Sequence, residues 1–221
     1  MRLRNVITLS LRHRRYARVI AIICSWCFFA GCSSGSLNYY LLNTAGISYT
    51  YIGLIDALYM VFLYIFSGYW QRYIKKHSWL KTFAYTGIAY APTMLPYAFV
   101  TGTNYLWLMT AVRLVQHAIG VGMNMAYANL PFVNLPEEDR TNYISFHGIT
   151  TNLATLLGIL FGTAFIAALG DDGTAAAGIR LTSPQLLMII QGAGQTLTAA
   201  SVIIFYNRIS STPDNAVSPL P

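Results

Sequence analysis

The sequence predicts an all-α membrane protein of six transmembrane helices, and three observations predict it. Hydrophobic residues make up 55% of the 221 and charged residues only 10%, against about 45–50% and about 25% in soluble domains. Six stretches, near 20–42, 51–70, 82–100, 105–129, 143–169 and 185–206, are long and apolar; about 20 such residues cross a hydrocarbon core about 30 Å thick. The basic residues also alternate in side. Arg2, Arg4, Arg12, Arg14, Arg15 and Arg18 precede the first span, Arg72, Lys75, Lys76 and Lys81 lie between the second and third, Arg140 between the fourth and fifth, and Arg208 after the sixth. The opposite loops (43–50, 101–104 and 170–184) hold only Arg180. The positive-inside rule then places both termini in the cytoplasm. The expected organisation is a basic cytoplasmic flank (1–18), a six-helix domain (19–207) and a disordered, Pro-rich cytoplasmic tail (208–221). A multi-pass protein of the cell membrane follows, with the lipid bilayer as its surroundings. The net charge of +7 belongs to the flanks of the spans, so a nucleic-acid partner is not expected.

The spans carry their own packing signals. The first holds Cys24, Cys27 and Cys32, read as small packing residues because one helical turn in lipid offers C-x-x-C no second pair of ligands. Basic residues, an apolar run and Ala30-Gly31-Cys32-Ser33 imitate a lipoprotein signal, but five more spans follow, and 20–42 is read as a retained helix. Gly31 to Ser36 is a run of small residues that permits close helix approach, followed by Asn38 and the interfacial pair Tyr39-Tyr40. Ser48 or Thr50 is placed to cap the second helix. Pro92 and Pro96 are expected to kink the third. The fourth holds Gly120 and Gly122, the fifth Gly158-x-x-x-Gly162, a close-packing motif, and the sixth Gln191 and Gln195 beside Gly192 and Gly194.

Ionisable groups inside spans are costly, and each is a candidate for function. Arg113, His117, Gly120 and Asn124 fall within about 60° of one another on a helix, with Gln116 at the edge of that face. Such a face looks at protein or at a water-filled path, not at lipid. Asp56 is the one carboxylate within a span. It lies about 8 Å deep against about 12 Å for Arg113, close enough for an Asp56–Arg113 pair; the competing reading is that Asp56 sits in the aqueous interface and only caps or solvates the helix end. His147, Asn152, Gln191 and Gln195 are weaker candidates, and Gln185 is read as interfacial. No cofactor or metal is called for.

The fourth span and its exit resemble a known family. Arg113-Leu-Val-Gln116-His117 resembles the R-x-x-Q-G signature in the fourth helix of a major facilitator superfamily half, with His117 where the signature has Gly. Pro136-Glu137-x-x-Arg140 resembles the P-E-x-x-R loop that follows. Gly158 to Thr163 is similar to the G-P-x-x-G-G pattern of the fifth helix, without its Pro. Gln71 to Ser78 stands where the family carries G-x-x-x-D-R-x-G; Gln71, Lys75 and Ser78 replace Gly, Asp and Gly, and Lys76 keeps the basic character. The resemblance covers about residues 12–207. The start, Arg14-Arg15-Tyr16-Ala17-Arg18, is most similar to the beginning of a C-terminal half.

The resemblance implies one half of a secondary transporter whose two six-helix halves enclose a solute site. The first, second, fourth and fifth helices would line the cavity. Asn38, Asp56, Arg113, Gln116, His117 and Asn124 become the candidates for solute binding or ion coupling. Gly120, Gly158, Gly162, Arg72, Lys76 and Arg140 become candidates for packing and conformational change. A second half is required as partner, from a second copy or a separate N-terminal half, because a polar cavity wall facing lipid is unfavourable. The fixed charge of Arg113 would favour an anionic group of a small solute or a carboxylate partner. A histidine changes charge near neutral pH, so proton coupling is open to His117. Two other classes compete. A non-transporting subunit or degenerate fragment fits the substituted loop. An intramembrane protease would need a serine–histidine pair or clustered metal ligands, and neither pattern stands in the sequence.

Overall fold

The computed structural model describes residues 13–170, 174–176 and 179–210. Its elements are α1 (Arg14–Tyr39), a π turn (Tyr40–Thr44), α2 (Tyr49–His77), α3 (Trp79–Tyr90), a 3-10 turn (Ala91–Thr93), α4 (Met94–Tyr97), α5 (Tyr105–Asn129), a second 3-10 turn (Leu130–Phe132), α6 (Arg140–Leu169), β1 (Thr174–Ala176), β2 (Ile179–Leu181), α7 (Ser183–Ile204) and α8 (Tyr206–Ile209). Five helical stretches are long and apolar enough to cross a membrane: Arg14–Thr44, Tyr49–His77, Tyr105–Phe132, Arg140–Leu169 and Ser183–Ile204.

The third expected span is the one that does not form a continuous long helix. Proline lacks an N–H and its ring crowds the preceding turn. The chain accordingly leaves α3 at Ala91, tightens through Pro92 into the 3-10 turn, and resumes as α4 before Pro96. The Thr93 hydroxyl donates to the Tyr90 carbonyl at 2.5 Å, satisfying an acceptor at the break.

Three further departures from expectation have local causes. The second helix runs to His77, so Arg72, Lys75 and Lys76 are helical rather than loop residues. Lys75, Lys76 and His77 fill its last turn, where cations meet the negative end of the helix dipole. The loop between the second and third spans is thereby reduced to Ser78, which closes α2 (N–H to the Ile74 carbonyl, 2.9 Å) and caps α3. The all-α expectation also misses a short antiparallel hairpin, β1–β2, in the loop between α6 and α7. Finally, helical structure extends past residue 207 in α8, where Ile209 is buried; the flank before His13 and the tail after Ser210 lie outside the described residues.

The Ser48 side chain caps α2, accepting from the Tyr51 N–H at 3.2 Å. Two apolar cores stack along the bundle. One, at the α1 N-terminal end, contains Tyr16, Ile23, Phe83, Leu130 and Tyr143; the other contains Tyr40, Leu41, Tyr97, Met109 and Met188. α1 packs on α6 and α7, α5 packs on α2 and α3, and α3 joins the two groups through α7. The α1–α6 crossing is backbone against backbone. A Cβ on Gly31 would come within 2.5 Å of the Thr155 carbonyl oxygen, and one on Gly158 or Gly162 would run into the Phe28 or Cys32 carbonyl. Only 11% of the apolar stretch of α2 and 17% of that of α6 is buried, against 50% for α1 and α7, so α2 and α6 are the flanks left open.

Gln185, at the end of its span, is covered by protein and not by solvent. It is buried and closes a capping box at the start of α7 with Thr182. Its amide donates to Tyr40 Oη at 3.1 Å and to the Ala98 carbonyl at 2.8 Å. Within the bundle, Ser33 bonds Gln191, whose amide reaches Gln195 at 3.3 Å, so these glutamines join α1 to α7.

Candidate functional site

A polar seam runs between α2, the broken third span and α5. Arg113 is its centre. The Nε lies 3.4 Å from Asp56 Oδ1 and donates to Tyr97 Oη at 3.0 Å. Nη1 donates to Gln116 Oε1 at 3.3 Å, and the guanidinium lies 4.8 Å over the Tyr97 ring. Gln116 in turn donates to Thr93 Oγ1 at 2.9 Å. The helical break therefore serves the site: it presents Thr93 and Tyr97 to α5. The cost of a cation in an apolar interior falls when its donors find acceptors and a counter-charge; Tyr97 and Gln116 each accept one hydrogen and Asp56 supplies the charge.

The two charges differ in exposure. The Arg113 side chain is 16% exposed and that of Asp56 47%. The carboxylate is thus the half of the pair that faces outward, on the sparsely covered helix α2.

His117 is buried one turn further along α5. Its Nε2 lies 2.9 Å from the Ile55 carbonyl. A carbonyl only accepts, so Nε2 carries the hydrogen and Nδ1 is left as the acceptor of the neutral ring. The ring sits 5.7 Å from both Tyr59 and Phe62. Asn124 donates to Tyr59 Oη at 2.8 Å. Gly120 gives room for two rings: a Cβ there would lie 3.6 Å from Tyr90 Cε2 and 4.0 Å from Tyr59 Cε2. Below, Trp70 Nε1 donates to the Ala118 carbonyl at 2.9 Å and its indole packs against Gly122.

Six residues were expected to supply solute binding or coupling. The structure brings five of them together, Asp56, Arg113, Gln116, His117 and Asn124, along one α2–α5 seam. Asn38 stands apart, exposed near the end of α1. Gln116, at the edge of that face, is buried and bonded into the network. Among the packing and conformational candidates, Gly120, Gly158 and Gly162 lie at helix contacts. Arg72 and Lys76 are exposed on the last turns of α2, and Arg140 pairs with Glu137 at 3.8 Å on the surface. His147 is half-buried, with Nε2 unpartnered among the described residues, and Asn152 is exposed. Sequence reasoning missed Tyr59, Tyr90, Thr93 and Tyr97. Tyr90, Thr93 and Tyr97 stand at the i, i+3, i+7 spacing of one helix face, and that signal was available beside the prolines.

Comparison with known proteins adds one match. The family model described as Major Facilitator Superfamily matches residues 19–216. No curated protein matches the chain, and no solved structure does. The family match spans nearly the whole described helical unit and all of the seam; the chain belongs to the major facilitator superfamily, a family of membrane transporters.

Proposed function

We propose that this chain is one half of a secondary transporter, resembling the C-terminal half, that moves a small solute by alternating access. Residues 79–97, though broken, supply the crossing that makes six spans, and both termini face the cytoplasm of a cell-membrane protein. The observation that carries this reading is the charged seam inside an apolar bundle, with Asp56 turned outward from it. A purely structural ion pair has no need of a half-exposed carboxylate at that depth, whereas a transport path does. The open flanks of α2 and α6 are where a second six-helix unit would pack, from another copy or a separate half. Asp56 and His117 are the groups that would carry a coupled proton.

Reconstitution into proteoliposomes tests this. Solute flux is expected, and Arg113→Ala is expected to abolish it while the protein stays monodisperse and folded. Retained flux in that variant would remove Arg113 from the mechanism. A non-transporting subunit is the second reading, favoured by Lys75 in place of the loop aspartate. No flux for any solute tested, with or without a proton gradient, would select it. A stable lone monomer in mild detergent would argue against an autonomous half.

A further inference from the structure

We infer that Cys24 and Cys27 form a dithiol site for a thiophilic centre that replaces both thiol protons at once, a trivalent organoarsenical being the type. The site is independent of the transport reading and needs only the described bundle. A tetrahedral ion would ask this C-x-x-C pair for two further ligands. No group of three or more His, Cys, Asp or Glu gathers among the described residues, so the arrangement does not suit zinc. A centre satisfied by two sulfurs asks for nothing more.

Both cysteines are free thiols. They stand three residues apart on α1, a spacing that brings Cβ atoms to about 5–6 Å on one helix face. Cys27 is buried, and its Sγ lies 2.9 Å from Tyr127 Oη on α5. Cys24 is half-buried, beside the Thr150 hydroxyl on α6 and within electrostatic reach of Cys27. The pair therefore looks toward the boundary of α5 and α6, and Cys24 is the sulfur a reagent meets first. The surroundings are apolar, with Ile23, Met123, Ala126 and Phe146 in the same core. A charged complex is costly in such a setting and a neutral one is not. An arsine oxide meets that condition. Two S–H bonds break, two As–S bonds form, and the oxide oxygen leaves with both hydrogens as water. Arsenic stays trivalent and the adduct carries no charge. Cys32 is not part of the pair. It lies five residues past Cys27, about 7.5 Å along the helix, and its Sγ donates to the Phe28 carbonyl at 3.2 Å.

Phenylarsine oxide tests the site on the folded full chain, kept reduced and monodisperse in mild detergent, with intact-mass spectrometry as the readout. One adduct per chain is expected, formed with loss of water. It should survive an excess of the monothiol 2-mercaptoethanol and be removed by the dithiol dimercaptopropanol. Cys24→Ser and Cys27→Ser each delete one arm of the chelate and are expected to weaken monothiol-resistant binding by about 100-fold or more. Cys32→Ser is expected to stay within about threefold of the wild type. Cys27→Ala, which leaves no hydroxyl in the core, keeps the test decisive if Cys27→Ser fails to fold. No adduct, an adduct stripped by the monothiol, wild-type retention in Cys24→Ser or in the Cys27 variant, or an equal loss in Cys32→Ser would overturn the inference. Solute flux, present or absent, leaves each of these outcomes unchanged, so the transport reading stands or falls separately.

Discussion

Ser78→Gly is expected to stabilise the protein. Ser78 is the single residue between α2 and α3, with φ 67° and ψ 160°, a region open almost only to glycine. Holding another residue there costs about 1–3 kcal/mol. The serine recovers little in return. Its Oγ accepts from the Lys81 N–H at 3.5 Å and meets Tyr206 Oη at 3.4 Å, both long. Replacing a serine cap by glycine costs only about a few tenths of a kcal/mol, and the extra freedom of glycine in the unfolded chain costs about 0.5–1 kcal/mol. With strain near the middle of its range, the net gain is about 1 kcal/mol, or about 3 °C in melting temperature for a chain of this size. Thermal unfolding in detergent, followed by intrinsic fluorescence, measures it. Ser78→Ala is the control. It keeps the strain and loses both contacts, so it should fall by about 0.5 kcal/mol. A lower melting temperature for Ser78→Gly, with Ser78→Ala unchanged, would refute the reasoning, since it would mean that the backbone at 78 is unstrained.

Four other substitutions probe the bundle. Gly158→Leu drives a side chain into the Phe28 carbonyl and should cost about 1–3 kcal/mol or more, whereas Gly68→Leu, which meets nothing within 4 Å, should leave the melting temperature and gel-filtration profile unchanged. Tyr97→Phe removes the acceptor of the Arg113 Nε–H and should cost about 1.5–3 kcal/mol, the range for hydrogen bonds to charged groups; an unaltered unfolding midpoint would show that the bond contributes nothing. Gln185→Leu strips the capping box of α7 and leaves the Ala98 carbonyl without its amide donor. It should lower stability by about 2 kcal/mol, read from the same thermal transition.

Much of this architecture was legible because lipid imposes simple demands. Apolar length and the side preference of arginine and lysine marked the helices, and Gly158-x-x-x-Gly162 marked the tightest crossing. Matched depth made the Asp56–Arg113 pair readable. What was illegible depends on tertiary partners. Basic residues 72–76 read as a loop because charge ends an apolar run, although cations also suit the final turns of a helix. Gln185 read as interfacial because an amide near a span end usually meets water; here Tyr40 and the Ala98 carbonyl replace that water. The tyrosines and Thr93 around Arg113 were overlooked because their hydroxyls gain meaning only once the proline break turns them toward α5.

The separation of Asp56 and Arg113 along the chain bears on biogenesis. An aspartate in a span costs about 2.5–3.5 kcal/mol to insert, and an arginine about the same. α2 is synthesised before α5, and α5 is the least apolar of the five long helices. Each charge must therefore be carried into the bilayer by the apolar residues of its own helix, before its counter-ion is in place. The pair forms only after both helices are inserted, and it then gives α2, otherwise so sparsely covered, a reason to stay beside α5 instead of drifting into lipid.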